Sequence, residues 1–267
     1  MNKQFLVVVP LVIMVAGCSA QGENPAPTNS VASNSEPQVE TVVNAATEMK
    51  ETANADAEKK PQDKNADDKA DSKYIIVEEA DPRMPAELIA ALEKVKVSPP
   101  PAAMTVPKKA RLRLLTSKGT ITVELNETAA PLHAKNFLYL SRRGFYDNTI
   151  LHRYEPGFVI QGGDPLSKSP ALKEYFGAGG PGYQVPRERN SLKHEKFVLA
   201  AARSQDPDSA GSQFYFTLAP ALFLDDGDGY TVFGKIVDGS ENVLKLRAGD
   251  KLQKVVILPV TPAKKAN

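Results

Sequence analysis

The chain has 267 residues, with 33 Lys and Arg against 32 Asp and Glu and a net charge of +1. That balance gives no reason to expect nucleic acid or an anionic surface as partner. A single cysteine excludes an internal disulfide framework, and no Cys/His cluster has metal-ligand spacing, so neither a metal nor another cofactor is expected.

The N-terminus reads as an export signal. Lys3 supplies a positive charge, and residues 5–15 form an almost unbroken apolar run. The run is too short to span a bilayer comfortably and has the shape of a secretory h-region. It ends in Val15-Ala16-Gly17-Cys18, which resembles the lipobox of bacterial lipoproteins. That resemblance implies removal of residues 1–17, acylation of Cys18, and a membrane anchor held by more than one acyl chain. Lipidation would also account for a lone cysteine in an exported chain. Ser19 follows where an aspartate would alter sorting, which implies the outer membrane, with the chain facing the periplasm.

Residues 18–73 read as a linker. From Ser19 to Lys73 there is no Leu, Ile, Phe, Tyr or Trp. Such a segment cannot bury enough apolar surface to offset chain entropy, so disorder is expected. A coil of this length reaches roughly 40 Å, which suits a tether between lipid and domain.

Order is expected from Tyr74-Ile75-Ile76-Val77 onward, in an N-terminal extension over residues 74–107. Pro85 suits the first turn of a helix, and residues 86–95 read as short and amphipathic. Pro99-Pro100-Pro101 stops that helix and makes a stiff spacer. Whether the extension packs on the domain or serves as a partner helix is left open by the sequence.

The main domain is expected over residues 108–259, with a tail at 260–267. Leu112 and Leu114 alternate with Arg111 and Arg113; after Ser117-Lys118-Gly119, Ile121, Val123 and Leu125 alternate with Thr120, Thr122 and Glu124. This is a hairpin with one apolar face. A helix follows over 130–143, stopped by Gly144. Short β-like runs then occupy 158–161, 197–202, 213–218, 231–237 and 254–258, with a second helix at 241–246. Many short strands, Gly- and Pro-rich turns and two helices point to a mainly β domain built as a closed antiparallel barrel.

Two segments carry chemistry. The first is Leu151-His152-Arg153-Tyr154-Glu155-Pro156-Gly157-Phe158-Val159-Ile160-Gln161-Gly162-Gly163-Asp164; the second, about fifty residues on, is Gly211-Ser212-Gln213-Phe214-Tyr215-Phe216. Together they resemble the signature of cyclophilins, the prolyl cis/trans isomerases. The resemblance implies an eight-stranded antiparallel barrel capped by two helices, and Pro-containing polypeptides as substrates. It also implies site residues. Arg153 would be the catalytic cation, with Gln161 orienting it. Phe158, Val159, Tyr215 and Leu224 would form the slot for the proline ring. Val159 stands where many members have methionine, and Tyr215 where many have phenylalanine, which adds a hydroxyl that wants a partner. Gln161 and Gln213 would hydrogen-bond the substrate backbone. Arg203 replaces a common asparagine whose backbone binds substrate. Tyr230 occupies the position of a site histidine. Phe223 takes the place of a tryptophan that helps bind cyclosporin, which implies weak inhibition by that drug. His152 is expected to be structural, with a satisfied ring. The acidic loop Asp225-Asp226-Gly227-Asp228-Gly229 lacks the spacing and terminal glutamate of a Ca²⁺ loop and reads as a solvated turn.

The chemistry asked of these residues is modest. An Xaa-Pro bond isomerises slowly because amide resonance sets a barrier of about 18–20 kcal/mol. No bond is made or broken, so the enzyme need only bind the twisted amide better than either planar form. A guanidinium aimed at the proline nitrogen, where a lone pair reappears on twisting, would do this. The leading expectation is therefore a monomeric, lipid-anchored peptidyl-prolyl isomerase assisting the folding of envelope proteins. The alternative is a non-catalytic Pro-peptide-binding chaperone or scaffold.

Overall fold

The computed structural model describes residues 71–77, 80–227 and 229–259. The signal segment, Cys18, the linker as far as residue 70, Asp228 and the tail 260–267 lie outside the described residues. In chain order the elements are β1 (Ile75–Ile76), α1 (Ala86–Val95), β2 (Arg111–Thr116), β3 (Gly119–Leu125), α2 (Pro131–Arg142), β4 (Thr149–Ile150), β5 (Arg153–Glu155), β6 (Val159–Gly162), β7 (Tyr183–Gln184), β8 (Val198–Ala201), β9 (Phe214–Thr217), β10 (Val232–Asp238), α3 (Ser240–Val243) and β11 (Lys251–Ile257). Three 3-10 helices cover Pro165–Lys168, Pro170–Tyr175 and Leu222–Asp225.

The β2–β3 hairpin forms as its alternation dictates. Leu112, Leu114, Ile121, Val123 and Leu125 are buried, while Arg111 and Arg113 are exposed. At its turn Thr116 Oγ1 donates to the Gly119 carbonyl at 2.6 Å, and Gly119 takes a φ of 120° that few side chains tolerate. The hairpin sits inside a nine-stranded sheet ordered β4-β11-β2-β3-β10-β8-β9-β6-β5, with every described pairing antiparallel. The end strands β4 and β5 are separated only by Leu151 and His152, so the chain itself joins the two ends of the curled sheet. Counting β4 and β5 as one interrupted strand leaves eight, the number the family resemblance implied.

Inward-facing side chains of the sheet meet α2 in one core. Phe137 of α2 lies 5.0 Å from Tyr146, 5.3 Å from Phe214 and 5.6 Å from Phe233, centroid to centroid, in tilted and edge-on contacts. The N-terminus of α2 has no side-chain cap of its own. The Glu188 carboxylate supplies one from a distant loop, accepting the Leu132 and His133 N–H groups at 2.8 and 2.9 Å and lying 2.7 Å from His133 Nδ1.

Some expectations need correction. The second helix is the four-residue α3, not 241–246, because Lys245 and Leu246 bond three residues back in a tighter turn. Strand β11 begins at Lys251 rather than residue 254; a bulge between Leu252 and Lys254 buries Leu252 and Val255 at an odd spacing, which breaks the period-two signal. The linker boundary shifts too, since Asp71 is described and pairs with Lys135 Nζ at 3.1 Å.

The extension packs on the domain. β1 pairs with β7, Tyr74 is buried edge-on against Tyr183 and donates to the Leu132 carbonyl at 3.0 Å, and Leu88 of α1 packs with Leu166 and Leu172. The helix ends at Lys96, where the backbone turns extended ahead of Pro99-Pro100-Pro101.

Candidate active site

β5 and β6 form a hairpin whose register sets Arg153 opposite Gln161, and β9 sets Tyr215 beside Gln161. Alternation then sorts the faces. Ile160, Phe214 and Phe216 enter the main core, whereas Val159 and Tyr215, with Val198, Ala200 and Val232, build a second apolar cluster on the opposite face of the sheet. Phe158, Leu224, Ala202, Leu192 and Tyr230 pack around it. The structure thus brings together all four expected walls of the proline slot: Phe158, Val159, Tyr215 and Leu224.

A directional chain of amides runs beside this slot. Gln213 Nε2 donates to the carbonyls of Gly177 and Gly179 at 2.7 and 2.9 Å, which uses both of its N–H groups. Its Oε1 is left to accept from Gln161 Nε2 at 2.9 Å. Gln161 Oε1 in turn accepts from Arg153 Nη1 at 3.4 Å. The amide orientations are therefore imposed from the 177–179 loop outward, and the guanidinium is the last member. Arg153 is half exposed, and its Nε also reaches Glu155 at 3.4 Å. Gln161 retains one N–H for a substrate carbonyl. Gln213 sits behind it and offers a substrate only the second lone pair of Oε1.

The 163–180 segment is pinned from within by Asp164. Its buried carboxylate accepts the Leu166 N–H at 2.7 Å, the Gly179 N–H at 3.4 Å and the Gly177 N–H. Burial pushes this carboxyl up, and those backbone donors pull it back.

The hydroxyl of Tyr215 finds its partner in His194, which the sequence did not single out. His194 is fully buried; Tyr215 Oη lies 2.8 Å from its Nε2, and Asp225 lies 2.7 Å from its Nδ1. With Nδ1–H donating to the Asp225 carboxylate, Nε2 accepts from the tyrosine hydroxyl. Burial lowers the His194 pKa and Asp225 opposes it. This bridge ties the slot wall on β9 to the 3-10 turn that carries Phe223 and Leu224. The signal available was the unexpected tyrosine hydroxyl, but nothing local pointed to residue 194.

The remaining expected residues are spread along the rim. Phe223 is exposed and stacks on Phe158 at 5.5 Å. Tyr230 packs edge-on against Tyr215 at 6.1 Å. The Arg203 guanidinium lies 4.2 Å from the Tyr230 ring centre and donates to the Gly229 carbonyl at 2.9 Å and the Ser204 carbonyl at 2.8 Å. Its side chain therefore ties down the 203–205 and 229–230 loops. Cys18 lies outside the described residues. His152 corrects an expectation: neither ring nitrogen meets a hydrogen-bond partner. Burial, and then the charge of Arg153, push its pKa down to about 4, against opposing contributions from the Ile150 backbone and the Gln213 side chain.

Comparison with known proteins agrees with this architecture. The sequence model described as cyclophilin type peptidyl-prolyl cis-trans isomerase/CLD matches residues 111–261. Peptidyl-prolyl cis-trans isomerase A of Dickeya dadantii is 36% identical over 183 residues, which are 67% of this chain and 88% of that protein. Peptidyl-prolyl cis-trans isomerase-like 2 of Cryptococcus neoformans is 36% identical over 151 residues, 57% of this chain; the match spans only 25% of that longer relative. A crystal structure of a cyclophilin type isomerase from Cryptosporidium parvum superposes with a TM-score of 0.50 at 30% identity, covering 57% of this chain and 99% of that one. With its barrel, its arginine and glutamine pair and its apolar slot in register, the chain belongs to the cyclophilin-type peptidyl-prolyl cis-trans isomerases.

Proposed function

We propose that this chain catalyses cis/trans isomerisation of Xaa-Pro bonds in polypeptides, as a monomer, and that its clients are proteins of a bacterial envelope. The observation that carries the catalytic reading is the chain Gln213–Gln161–Arg153 lying beside an apolar slot on one sheet face. The proline ring enters between Phe158, Val159, Tyr215 and Leu224, and the N–H left on Gln161 holds the carbonyl of a neighbouring residue. As the amide twists, the proline nitrogen regains its lone pair, and Arg153 donates to it. That interaction exists only near the transition state, so it accelerates the step rather than tightening ground-state binding.

Loss of a preorganised donor of this kind costs about 100- to 1,000-fold in rate. Half-exposure of Arg153 favours the lower end. The test is catalysed cis-to-trans relaxation of a short Xaa-Pro peptide, comparing wild type with Arg153→Ala. Acceleration lost in the variant supports the mechanism; no acceleration by folded wild type, with peptide binding intact, supports the Pro-peptide scaffold instead.

The site of action rests on the sequence alone: the apolar run, the lipobox-like Val15-Ala16-Gly17-Cys18 and Ser19 support an outer-membrane anchor facing the periplasm, with the segment after Cys18, as far as residue 70, as the tether. Metabolic labelling with palmitate and fractionation of wild type and Cys18→Ser tests this. Label that persists in the variant would refute the anchor.

A further inference from the structure

The extension over residues 71–107 lies before the residues matched by the family model, which begin at 111. It nonetheless packs on the segment that orients the site. Helix α1 turns an apolar stripe of Leu88, Ala91, Leu92 and Val95, spaced as one face of a helix, onto the two 3-10 helices between residues 165 and 175. Leu88 is 6% exposed and contacts a cluster that includes Leu166, Leu172 and Phe176. Farther along the same segment, β1 pairs with β7, the Val77 N–H donates to the Gly182 carbonyl at 3.1 Å, and the Val97 N–H donates to the Pro181 carbonyl at 2.9 Å.

Phe176, packed against the cluster that Leu88 forms with Leu166 and Leu172, directly precedes Gly177. Gly177 and Gly179 present the two carbonyls that take both N–H groups of Gln213. If that loop moves, Gln213 is free to turn its amide over. Its Oε1 then no longer faces Gln161, and Gln161 is no longer held with its own Oε1 toward Arg153. The loop is fixed from inside by Asp164 and from outside by the extension.

We propose that the N-terminal extension is a working part of the isomerase site, with Leu88 a positioning residue that acts through Gly177 and Gly179 on Gln213, Gln161 and Arg153. This rests on the isomerase reading for its consequence in rate, but not for its consequence in structure. The test uses the full chain carrying Leu88→Ala, with Val255→Ala on β11, in a different apolar cluster from Leu88, as a core variant for comparison at similar loss of stability. Three quantities are read: melting temperature, kcat/KM on an Xaa-Pro peptide, and the NMR resonances of the Gln213 side-chain amide.

Leu88→Ala is expected to shift the Gln213 amide resonances and lower kcat/KM by about tenfold, since small misplacements of a catalytic group are costly. Val255→Ala is expected to lower melting temperature with kcat/KM kept within about twofold. Should Leu88→Ala not fold, Met84→Ala perturbs the rim of the same cluster more mildly, with the same direction expected. A folded variant with Gln213 resonances and kcat/KM both unchanged overturns the proposal, as does an equal loss of kcat/KM in Val255→Ala. Should wild type prove inactive, the isomerase reading falls, and the Gln213 resonances alone decide this one.

Discussion

His152 offers a measurable consequence of the way β4 and β5 are joined. It sits in the two-residue break between these strands, beside Arg153 and within 3.7 Å of where a side chain on Gly177 would begin. Burial and the neighbouring cation hold its pKa at about 4 against an ordinary 6.5. Between these values the unfolded chain binds a proton that the folded protein refuses, so stability falls as pH drops through that window. The full gap is worth about 3 kcal/mol at roughly 1.4 kcal/mol per pH unit, and about 2 kcal/mol of it is lost between pH 7 and pH 5. Urea denaturation of wild type and His152→Gln over this range isolates the contribution, because groups common to both cancel in the difference. Wild type should lose about 2 kcal/mol more than the variant between pH 7 and pH 5. NMR titration reports the same group directly, and with three histidines in the chain the signals are readily assigned. A His152 pKa at or above 6, or parallel pH profiles for the two proteins, would refute the reasoning.

Three further outcomes are expected. Tyr215→Phe keeps the slot wall but strands the buried Nε2 of His194, so it should cost about 1–3 kcal/mol of stability in urea denaturation while kcat/KM changes little. A variant as stable as wild type would mean the bridge carries nothing. Glu188→Ala removes the acceptor for two N–H groups at the start of α2 and for His133; a loss of about 2 kcal/mol is expected from the same assay, with none expected from Glu188→Gln only if charge is irrelevant to the cap. Cyclosporin should inhibit weakly, because exposed Phe223 offers no indole N–H at the rim of the slot; Phe223→Trp should tighten inhibition, and micromolar or tighter inhibition of wild type would contradict this.

The two apolar clusters explain how one sheet serves both stability and chemistry. Residues at odd and even positions of β6 and β9 part company: Ile160, Phe214 and Phe216 go to the core, and Val159 and Tyr215 to the slot. A strand that is apolar on both faces is ordinarily buried between two layers. Here Val159 and Tyr215 are buried on the outer face of β6 and β9, and the partly exposed residues of that cluster are those around them, Phe158, Leu224 and Tyr230 among them.

Much of this protein was legible in its residues. Alternation at 111–125 determined the hairpin, Pro85 and the amphipathic run at 86–95 determined α1, and the family resemblance of the two motifs pointed to the arginine, glutamines and aromatics that lie on and beside β5, β6 and β9. These are local properties, set by side-chain period and by what each backbone position tolerates. What tertiary structure alone decided are contacts between segments far apart in the chain: Glu188 capping α2, His194 bridging Tyr215 and Asp225, and Gly177 and Gly179 taking both N–H groups of Gln213. The extension's role belongs with these, since its apolar stripe was visible but the surface it covers was not. Periodicity tells which side of an element must leave water; which partner it meets there depends on strand order and loop path, and these are settled only when the whole sheet closes on itself.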